Sequence, residues 1–566
     1  MVASRYRSGC MNVTRTCLAS PKLAIALALA ASCASLPAAA QALTDAQLAQ
    51  VVGQRLHGDR TGACMAVAVI QGDQVVRSYQ CANEADSGRI GPDAAFEIGS
   101  VSKTMTATLL ADLIAQGKGS LDDTLASWLP AGTRVPDYQG QPILLRHVVT
   151  HTSGLPALPS RLGATGMDDP YANLDEAALL ASLADVKLAA APGTQFEYSN
   201  FASMLLSYAV ARRAGTDFET LARRELFTPL GMSHAYINDR PAGVRAAVGH
   251  TPNAKPTSAW NFPTNLAGVG GVRATLDDMV RYVQGGLGQV DVPIRKALEA
   301  THAAVSGQPP MGMNWMRVPV KDRTVLMHEG GTGGFSSFVS IDPQRQRGVV
   351  ILSDTTWNSI GSLGSLGLHL VDDSFPLGKP RHEVAADPEL LAALAGEYQL
   401  QGGMKMTLRA RDGQLYGQAQ GQPEFAMGHD DAGDFYPRVL DAVLRPQRKA
   451  DGSYAFTWTQ MGAVIPASRI DAAAAKAPSL TPAELAAYVG TYPLMPSFSL
   501  QVSERDGRLY AQATGQGAFA LEAAASDVFE APAFGIEIRF LRGDDGTVQS
   551  LQLHQAGQVL NGVREH

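Results

Sequence analysis

The first clear pattern in the chain is a pair of β-rich runs in the stretch ACMAVAVIQGDQVVRSYQC, which are joined by Gly72 and Asp73. Such a pair predicts a hairpin with a two-residue turn. After the hairpin, apolar residues recur at helical spacing from Ser100 until Gly117 and Gly119. The pattern therefore predicts a β-hairpin followed by a strongly apolar helix.

Helical patterns occupy the middle of this segment and strand patterns its end. Helices are predicted at Glu176–Ala184, Phe201–Ala214, Phe218–Leu226 and Leu276–Gln284, and strands in TVLMHEG, GFSSFVSI and RGVVILSD. A hairpin first, helices in the middle and strands last indicate an α+β domain. We expect an antiparallel sheet that contains both ends of the segment and is flanked by helices.

Beyond a predicted linker at Asp372–Asp387, the chain contains an internal duplication. RDGQLYGQAQGQ, which starts at Arg411, matches RDGRLYAQATGQ, which starts at Arg505, and the same offset of 94 residues takes Tyr398 to Tyr492. Alternating apolar positions and Asp-Gly turns predict antiparallel β-structure. Each copy is therefore expected to form a small, lipocalin-like β-barrel.

Composition and charge narrow the class of protein. The 566 residues are 45% hydrophobic and 17% charged, and the formal net charge is −7. This balance, without a block rich in Lys and Arg, argues against nucleic acid as the main partner. A chain of this length predicts two to four domains.

The first forty residues have the pattern of an export signal. Basic residues precede the apolar run LAIALALAASCASL, and small residues suited to cleavage follow it. The run is too short for a membrane span. Cys33 is a poor lipid-anchor site, because Ala30 stands where a larger aliphatic residue is wanted. We expect residues 1–42 to be a cleaved signal peptide and the mature protein to be secreted, with the periplasm as its expected location.

Two cysteines remain after the signal peptide, Cys64 and Cys81. If Gln71 faces Gln74 across the hairpin turn, the same register places Cys64 opposite Cys81, at roughly disulfide spacing. An oxidising compartment would preserve the bond. A structural disulfide is the favoured interpretation, and two buried free thiols are the alternative.

The start of the predicted apolar helix contains the candidate chemistry. In AAFEIGSVSKTM, Ser100 and Lys103 are three residues apart and share one helix face. The backbone N–H of Ser100 lies at the positive end of the helix dipole. A lysine whose pKa is depressed by burial can serve as the base for a serine nucleophile. Taken alone, the pattern also describes a capping serine beside an exposed lysine.

Further segments, in a fixed order, favour the catalytic interpretation. They are PILLRHVVTHTSGLP, PGTQFEYSNFASMLL, VGGVRAT and HEGGTGGFSSFV. Together with Ser100-x-x-Lys103 they resemble the serine β-lactamase and penicillin-binding-protein superfamily. The branch is that of class C β-lactamases, D-Ala-D-Ala carboxypeptidases, D-aminopeptidases and β-lactamase-like esterases. The likeness spans about Leu43–Leu370, and two C-terminal barrels are the layout of the D-aminopeptidases.

The resemblance implies a domain order. A β-lactamase/transpeptidase-like catalytic domain is expected over residues 43–375, which we call the N-terminal domain. It is followed by barrel 1 at residues 386–470 and barrel 2 at residues 480–566. In D-aminopeptidases a barrel loop narrows the cleft, and the candidates here are Gln420–Phe425 and Gly515–Ala520.

The resemblance also implies roles for individual residues. Ser100 is the expected nucleophile, Lys103 its proton acceptor, and Tyr198 a relay of protons among nucleophile, leaving group and water. Asn200 is expected to hydrogen-bond Lys103 and the substrate amide. The N–H groups of Ser100 and Gly331 are expected to form the oxyanion hole. This chemistry is acyl transfer through a covalent ester and needs no metal or cofactor.

One element departs from the class C pattern, because His328-Glu329-Gly330 stands where those enzymes have Lys-Thr-Gly. A permanent cation becomes a titratable imidazole, and a hydroxyl becomes a carboxylate. Both changes reduce the attraction for a substrate carboxylate. Glu329 could hold a substrate's free amine if it faces the cleft, or strand alternation could turn it away; both alternatives stay open.

His147 and His151 are four residues apart and imitate a zinc-binding pair. No Glu follows His147 as a metalloprotease helix requires, so packing or turn roles are expected for both.

The expected function is that of a secreted serine hydrolase acting on small amides or esters, with D-amino-acid-containing peptides as the first choice. The alternatives are a class C-like β-lactamase, a promiscuous carboxylesterase, and a penicillin-binding sensor that is acylated without turnover. The expected partner is a small-molecule or short-peptide substrate, with no nucleic acid and no stable membrane span. The oligomeric state stays open.

Overall fold

The computed structural model describes most of the chain after the predicted signal peptide. The described residues are 43–164, 168–307, 310–357, 363–401, 403–420, 422–440, 442–460, 463–470, 480–495, 498–531, 534, 536–543, 545–555 and 558–565. The predicted signal peptide, with Cys33, lies outside them.

The helices of the N-terminal domain surround a buried central helix. They are α1 (Asp45–Leu56), α2 (Ser102–Ala115), α3 (Leu125–Trp128), α4 (Leu145–Val149), α5 (Glu176–Ser182), α6 (Asn200–Ala214), α7 (Phe218–Ala222), α8 (Thr228–Leu230), α9 (Leu276–Gly286), α10 (Arg295–His302) and α11 (Gly364–Val371). Short 3₁₀ turns cover Glu84–Arg89, Gly99–Val101, Leu183–Asp185 and Thr264–Val269. Two short helices, α12 (Pro388–Leu394) and α13 (Pro482–Ala486), each precede a set of barrel strands.

The strands of the N-terminal domain form one large sheet and two small ones. They are β1 (Cys64–Gln71), β2 (Gln74–Cys81), β3 (Ala94–Glu97), β4 (Asp137–Tyr138), β5 (Gln141–Pro142), β6 (Arg245–Ala246), β7 (Arg273–Ala274), β8 (Ser306–Gly307), β9 (Pro310–Met311), β10 (Met316–Val320), β11 (Arg323–Gly331), β12 (Ser336–Asp342) and β13 (Arg347–Ser353). The large sheet has the order β2-β1-β13-β12-β11-β10-β9-β8.

The predicted antiparallel sheet and its register are confirmed. The first strand of the hairpin pairs with the last strand of the segment, β13, so both ends of the segment lie in one sheet. Within the hairpin, Gln71 faces Gln74 and Cys64 faces Cys81. The two cysteines form a disulfide, as the register predicted.

Helix α2 lies at the centre of the core, between the sheet and α6. Its Met105 and Leu109 belong to one buried cluster with Ala66 of β1 and Leu205 of α6. Residues 102–111 of α2 are all buried, including the polar ones. A helix that is apolar nearly all round has to be enclosed by other elements, and this enclosure takes its N-terminal end, with Ser100 and Lys103, into the domain interior.

Two predicted helices differ in detail from those observed. Ser100 lies in the 3₁₀ turn Gly99–Val101, and α2 begins at Ser102. The predicted helix Phe218–Leu226 is α7 followed by a π-helical turn at Arg223–Phe227. The predicted strands near the end of the domain correspond to β11, β12 and β13.

Two sets of eight antiparallel strands follow. Barrel 1 is closed and consists of β14 (Gly396–Leu400), β15 (Lys405–Arg411), β16 (Gln414–Ala419), β17 (Phe425–His429), β18 (Phe435–Pro437), β19 (Val443–Arg448), β20 (Tyr454–Gln460) and β21 (Ala463–Arg469). Barrel 2 is an eight-stranded sheet in sequential order, with β22 (Gly490–Met495), β23 (Phe498–Arg505), β24 (Arg508–Ala513), β25 (Phe519–Ala525), β26 (Val528–Ala531), β27 (Ile536–Arg542), β28 (Val548–Gln555) and β29 (Gln558–Val563). A bridge between Thr491 and Glu565 joins its two ends.

The internal duplication is visible in the side-chain contacts of the barrels. The hydroxyl of Tyr398 donates to the carbonyl of Leu394, and that of Tyr492 donates to the carbonyl of Tyr488, both at 2.9 Å. Equivalent tyrosines thus make equivalent bonds to the residue four positions earlier. The repeat is therefore structural as well as sequential.

Barrel 1 is attached to the N-terminal domain by buried charge. The Nε of Arg60 donates to Asp430 Oδ2 at 3.1 Å, and the two side chains are 1% and 0% exposed. The Arg60 guanidinium lies 3.6 Å from the ring centroid of Tyr436, and Asn253 Nδ2 donates to the carbonyl of Pro437 at 2.9 Å. Glu424, in the candidate cleft-narrowing loop, instead pairs with Arg409 inside barrel 1.

Among the described residues, no helix has the length and apolar character needed to cross a membrane.

The Arg60→Ala variant should be markedly less stable than the wild type. Removing the cation leaves Asp430 buried, which typically costs about 3–5 kcal/mol, although Arg381 still contacts Asp430 at 3.1 Å and keeps the loss near the lower end. The control Arg77→Ala removes an exposed pair with Asp277 and should cost less than about 1 kcal/mol. Urea unfolding followed by circular dichroism measures both, and equal losses would contradict the assignment.

Candidate active site

Two glycines allow the turn that contains Ser100 to lie close against the end of strand β11. Gly99 has φ +50°, and a Cβ at this position would lie 2.5 Å from the backbone nitrogen of Gly331. A Cβ on Gly330 would collide with the carbonyl of Ile98. Glycine at these positions lets the turn Gly99–Val101 and the end of β11 approach through backbone alone. The backbone of Ser100 is thereby placed beside that of Gly331.

Lys103 lies next to Ser100 and is enclosed by the protein. Its Nζ is 2.8 Å from Ser100 Oγ and 2.8 Å from the carbonyl oxygen of Val269, in the VGGVRAT segment. The side chain is 1% exposed, and neither partner is an anion. Burial therefore lowers the pKa of Lys103 well below its ordinary value. The amine can then be neutral and accept a proton.

Tyr198 completes the group. A hydrogen bond joins its hydroxyl to Ser100, and its ring centroid is 5.0 Å from Lys103 Nζ. About 38% of the residue is exposed, so the ring lines an open cleft. Burial of the hydroxyl raises the pKa of Tyr198 above its ordinary value, and the bond to Ser100 opposes this only in part. Tyr198 is therefore a phenol, able to donate a proton.

Asn200 is the first residue of α6. Its hydrogen-bond partner in the protein is not Lys103, the partner expected from the resemblance. Its side chain hydrogen-bonds Tyr171, whereas the Lys103 amine is hydrogen-bonded to Ser100 Oγ and to the carbonyl of Val269. Within the described residues the Oδ1 atom of Asn200 is buried without a hydrogen-bond partner.

His328 of β11 is buried beside Lys103 and is neutral. Its Nδ1 donates to the carbonyl of Asn314 at 2.7 Å, which assigns the proton to Nδ1. Burial, followed by the nearby Lys103 amine, lowers the pKa of His328 to about 3. The imidazole does not replace the permanent cation of the class C pattern.

Glu329 faces away from the nucleophile. Gly330 pairs with Ser337, whose hydroxyl donates to the carbonyl of Ile98 at 2.8 Å, so this face of the sheet meets the nucleophile turn. Glu329 pairs with Phe338, and a Cβ on Gly367 of α11 would touch the Phe338 ring. Since directly paired residues point to the same face, Glu329 lies on the α11 side. The alternative that strand alternation turns it away is the one observed.

His151, for which only a packing or turn role was expected, lies in the site. Its ring stacks on that of Tyr198, with centroids 4.2 Å apart. His147, in contrast, accepts the N–H of Leu144 at its Nδ1 and caps α4. The only signal in the sequence was that His151 belongs to the THTSG segment, which does not specify the contact with Tyr198.

An aromatic wall stands beside the turn after β11. A Cβ on Gly333 would lie 2.6 Å from the indole nitrogen of Trp260. The backbone of Trp260 is fixed on both sides, because its N–H donates to Glu97 at 3.0 Å and its carbonyl accepts from Arg273 at 2.7 Å. Tyr171 contacts Trp260 edge to face at 5.4 Å. Trp260 and Tyr171 therefore form an aromatic pair beside the turn after β11, and a buried Glu97–Arg273 pair holds the backbone of Trp260.

The N-terminal domain is similar to a known enzyme family, and barrel 2 to a domain of unknown function. Residues 48–358 match the family model described as Beta-lactamase, and residues 474–564 match a domain of unknown function, DUF3471. The D-alanyl-D-alanine-carboxypeptidase/endopeptidase AmpH of Escherichia coli (strain K12) is 30% identical over 337 residues, which are 56% of this chain and 86% of that protein. A Beta-lactamase of the same strain is 29% identical over 339 residues, with coverages of 52% and 84%. The crystal structure of a Beta-lactamase/D-alanine Carboxypeptidase from Yersinia pestis complexed with citrate is 27% identical, covers 54% of this chain and 92% of that one, and has a TM-score of 0.46.

The Lys103→Met variant should lose activity and gain stability at neutral pH. The folded-state pKa of Lys103 is depressed, so between that pKa and the ordinary lysine value the unfolded chain binds the extra proton and wild-type stability rises with pH. Methionine has no charge to desolvate. We expect a higher melting temperature than that of the wild type at pH 7, a gap that narrows toward pH 10, and a kcat lower by about 10²–10⁴-fold.

Thermal unfolding at several pH values and steady-state kinetics measure these effects. The control is Lys118→Met, which removes an exposed lysine just beyond α2 and should change neither quantity. A Lys103→Met variant that is less stable than the wild type at pH 7 would contradict the neutral amine.

Proposed function

The chain belongs to the beta-lactamase family of serine hydrolases, and we propose that it cleaves small amides through an acyl-enzyme on Ser100, with D-amino-acid-containing peptides as its substrate class. One observation carries the proposal: a buried lysine amine, which has no anionic partner among the described residues, lies 2.8 Å from the serine oxygen. A phenol is hydrogen-bonded to the same oxygen.

In the resting enzyme Ser100 and Tyr198 carry their protons and the Lys103 amine is neutral, and the acylation step follows from this arrangement. The Ser100 O–H bond breaks, its proton passes to the neutral Nζ of Lys103, and Oγ forms a bond to the substrate carbonyl carbon. The N–H groups of Ser100 and Gly331 stabilise the resulting oxyanion. Tyr198 donates its proton to the leaving amine as the carbon–nitrogen bond breaks, and it recovers a proton from Lys103.

Deacylation repeats these transfers with water. Lys103, again neutral, is in position to receive the proton that water loses through Tyr198 as the water oxygen attacks the ester carbonyl. The ester bond to Oγ then breaks, and the proton returns to Ser100. Protons and bonds balance over the cycle, and the product is a free carboxylic acid.

The choice of substrate class is supported by charge and by a relative. His328 is neutral where class C enzymes have a lysine, which removes an attraction for the carboxylate that penicillins, cephalosporins and peptides ending in D-Ala all carry, and so favours D-peptides that are recognised at their amino end. A relative of 30% identity is named as a D-alanyl-D-alanine-carboxypeptidase/endopeptidase, which favours peptide substrates with D-residues. Glu329 takes no part in this proposal, because it lies on the α11 face. The Cys64–Cys81 disulfide supports an oxidising, periplasmic location for the reaction.

A substrate panel with Ser100→Ala tests the proposal. We expect hydrolysis of D-alanyl-p-nitroanilide with kcat/KM at least about 10-fold above the L-isomer, a modest preference on the scale of one well-made contact. Ser100→Ala should lose at least about 10³-fold, while Ser127→Ala, at an exposed serine in α3, should behave as the wild type. Faster turnover of nitrocefin or p-nitrophenyl esters would instead favour the β-lactamase or esterase alternative. A persistent adduct on Ser100 by intact mass, without turnover, would favour the sensor.

The pH dependence of KM tests the neutral His328. Because the pKa of His328 is lowered to about 3, the imidazole gains no charge between pH 8 and pH 5. We therefore expect the ratio of KM values for a peptide with a free carboxylate and for its C-terminal amide to stay constant over this range. A carboxylate-specific fall in KM as the pH drops through 7 to 6 would show that the histidine titrates and binds the anion.

A further inference from the structure

His151 contacts Tyr198 through the face of its ring. The centroids are 4.2 Å apart and the planes 27° from parallel. Phe196 meets the same imidazole edge to face at 6.1 Å, and His151 is fully buried. Tyr198 is partly exposed, and the imidazole of His151 packs against one face of its ring.

The same residue holds the chain on either side of Tyr198. Its Nδ1 accepts the backbone N–H of Ser199 at 3.2 Å, and its carbonyl accepts the N–H of Glu197 at 2.8 Å. Ser199 in turn caps α6 by accepting the N–H of Ala202 at 2.9 Å. The backbone of His151 has φ +54°, a conformation that is uncommon outside glycine. These contacts fix both neighbours of the phenol.

The protonation state of His151 follows from these bonds. Since Nδ1 accepts an N–H, the proton of the neutral ring is on Nε2, and in the described part of the chain this nitrogen is buried without a partner. The ionisable side chains that face the ring are the Lys103 amine from α2, the His328 imidazole from β11 and the Tyr198 phenol. Burial, then Lys103 and His328, lower the pKa of His151 well below its ordinary value. A charged ring would lose the Ser199 bond.

We propose that His151 is a positioning residue for acyl transfer, whose neutral imidazole fixes the phenol of Tyr198 over Ser100 and Lys103. The inference rests on the proposed function, because it assigns His151 to the same proton transfers. His151 acts through Tyr198 and Ser199, not on the substrate. A phenol displaced by about 1 Å would transfer its proton poorly, and displacements of that size cost about 10²-fold in rate.

Three variants separate the two contacts of the ring. His151→Ala removes both, and we expect kcat to fall about 10²-fold while KM changes little, since binding groups are untouched. His151→Phe keeps the stacking surface, and His151→Asn keeps an acceptor for the Ser199 N–H and tolerates the positive φ. Each should recover part of the lost kcat. The control His147→Ala removes the cap of α4 and should lower the melting temperature without changing kcat.

Two results would overturn the proposal. One is a His151→Ala enzyme with wild-type kcat. The other is a loss of kcat in His151→Ala that is equally large in His151→Phe and His151→Asn. The Ser100→Ala variant distinguishes this failure from a failure of the proposed function. If Ser100→Ala keeps the activity of the wild type, the proposed function itself is refuted.

A measurement on the wild type is independent of turnover and of how the variants fold. In ¹⁵N-histidine NMR spectra, one imidazole should remain neutral from pH 8 to pH 5 with its proton on Nε2, and it should be the resonance that is missing in His151→Phe or His151→Asn. A His151 ring that titrates near pH 6, or that carries its proton on Nδ1, would overturn the proposal.

Discussion

The amine of Lys103 is buried at the centre of the N-terminal domain, where the described residues provide no anion to pair with it. The surrounding elements must stabilise this buried amine. Desolvation of an ammonium is costly, so the lysine stays neutral instead. The two partners of Nζ are neutral oxygens, from Ser100 and Val269. Burial of the amine costs free energy in the folded protein, and it keeps the amine neutral and therefore basic. A paired or solvated ammonium could not take the proton of Ser100.

Enclosing the amine requires several elements to converge on one helix end. Thr106 of α2 donates to the carbonyl of Gly268 at 2.8 Å, which holds the turn Thr264–Val269 against the helix. Asn314 donates to the carbonyl of Lys103 at 3.0 Å and accepts from His328 through its own carbonyl. Each of these contacts is polar and buried, so each fixes distance and direction better than apolar packing would. Burial and precise placement of the base are therefore products of the same contacts.

Much of the fold could be predicted from the sequence because it depends on local periodicity. The hairpin register, the duplication and the strands β11 to β13 follow from alternation and turn residues over short stretches. The face of Glu329 could not be predicted, since it depends on Phe338 packing against α11, far along the chain. The contact of His151 with Tyr198 could not be predicted for the same reason, because Tyr198 is 47 positions later. The neutral state of Lys103 was implied by the family resemblance but not by the local pattern, which also describes an exposed lysine, because burial is a property of the assembled domain.

Barrel 1 contacts the N-terminal domain through a segment that packs beside the turn after β11. Asn253, which donates to Pro437 of barrel 1, belongs to the segment Gly249–Pro256. At the start of that segment, Gly249 is packed so closely on Gly334 that a Cβ would lie 2.7 Å from the Gly334 Cα, and the N–H of His250 donates to the Gly334 carbonyl at 3.0 Å. Gly334 is in the turn that follows Gly331. Barrel 1 thus supports the turn that follows β11, next to Gly331, the residue proposed above as an oxyanion donor.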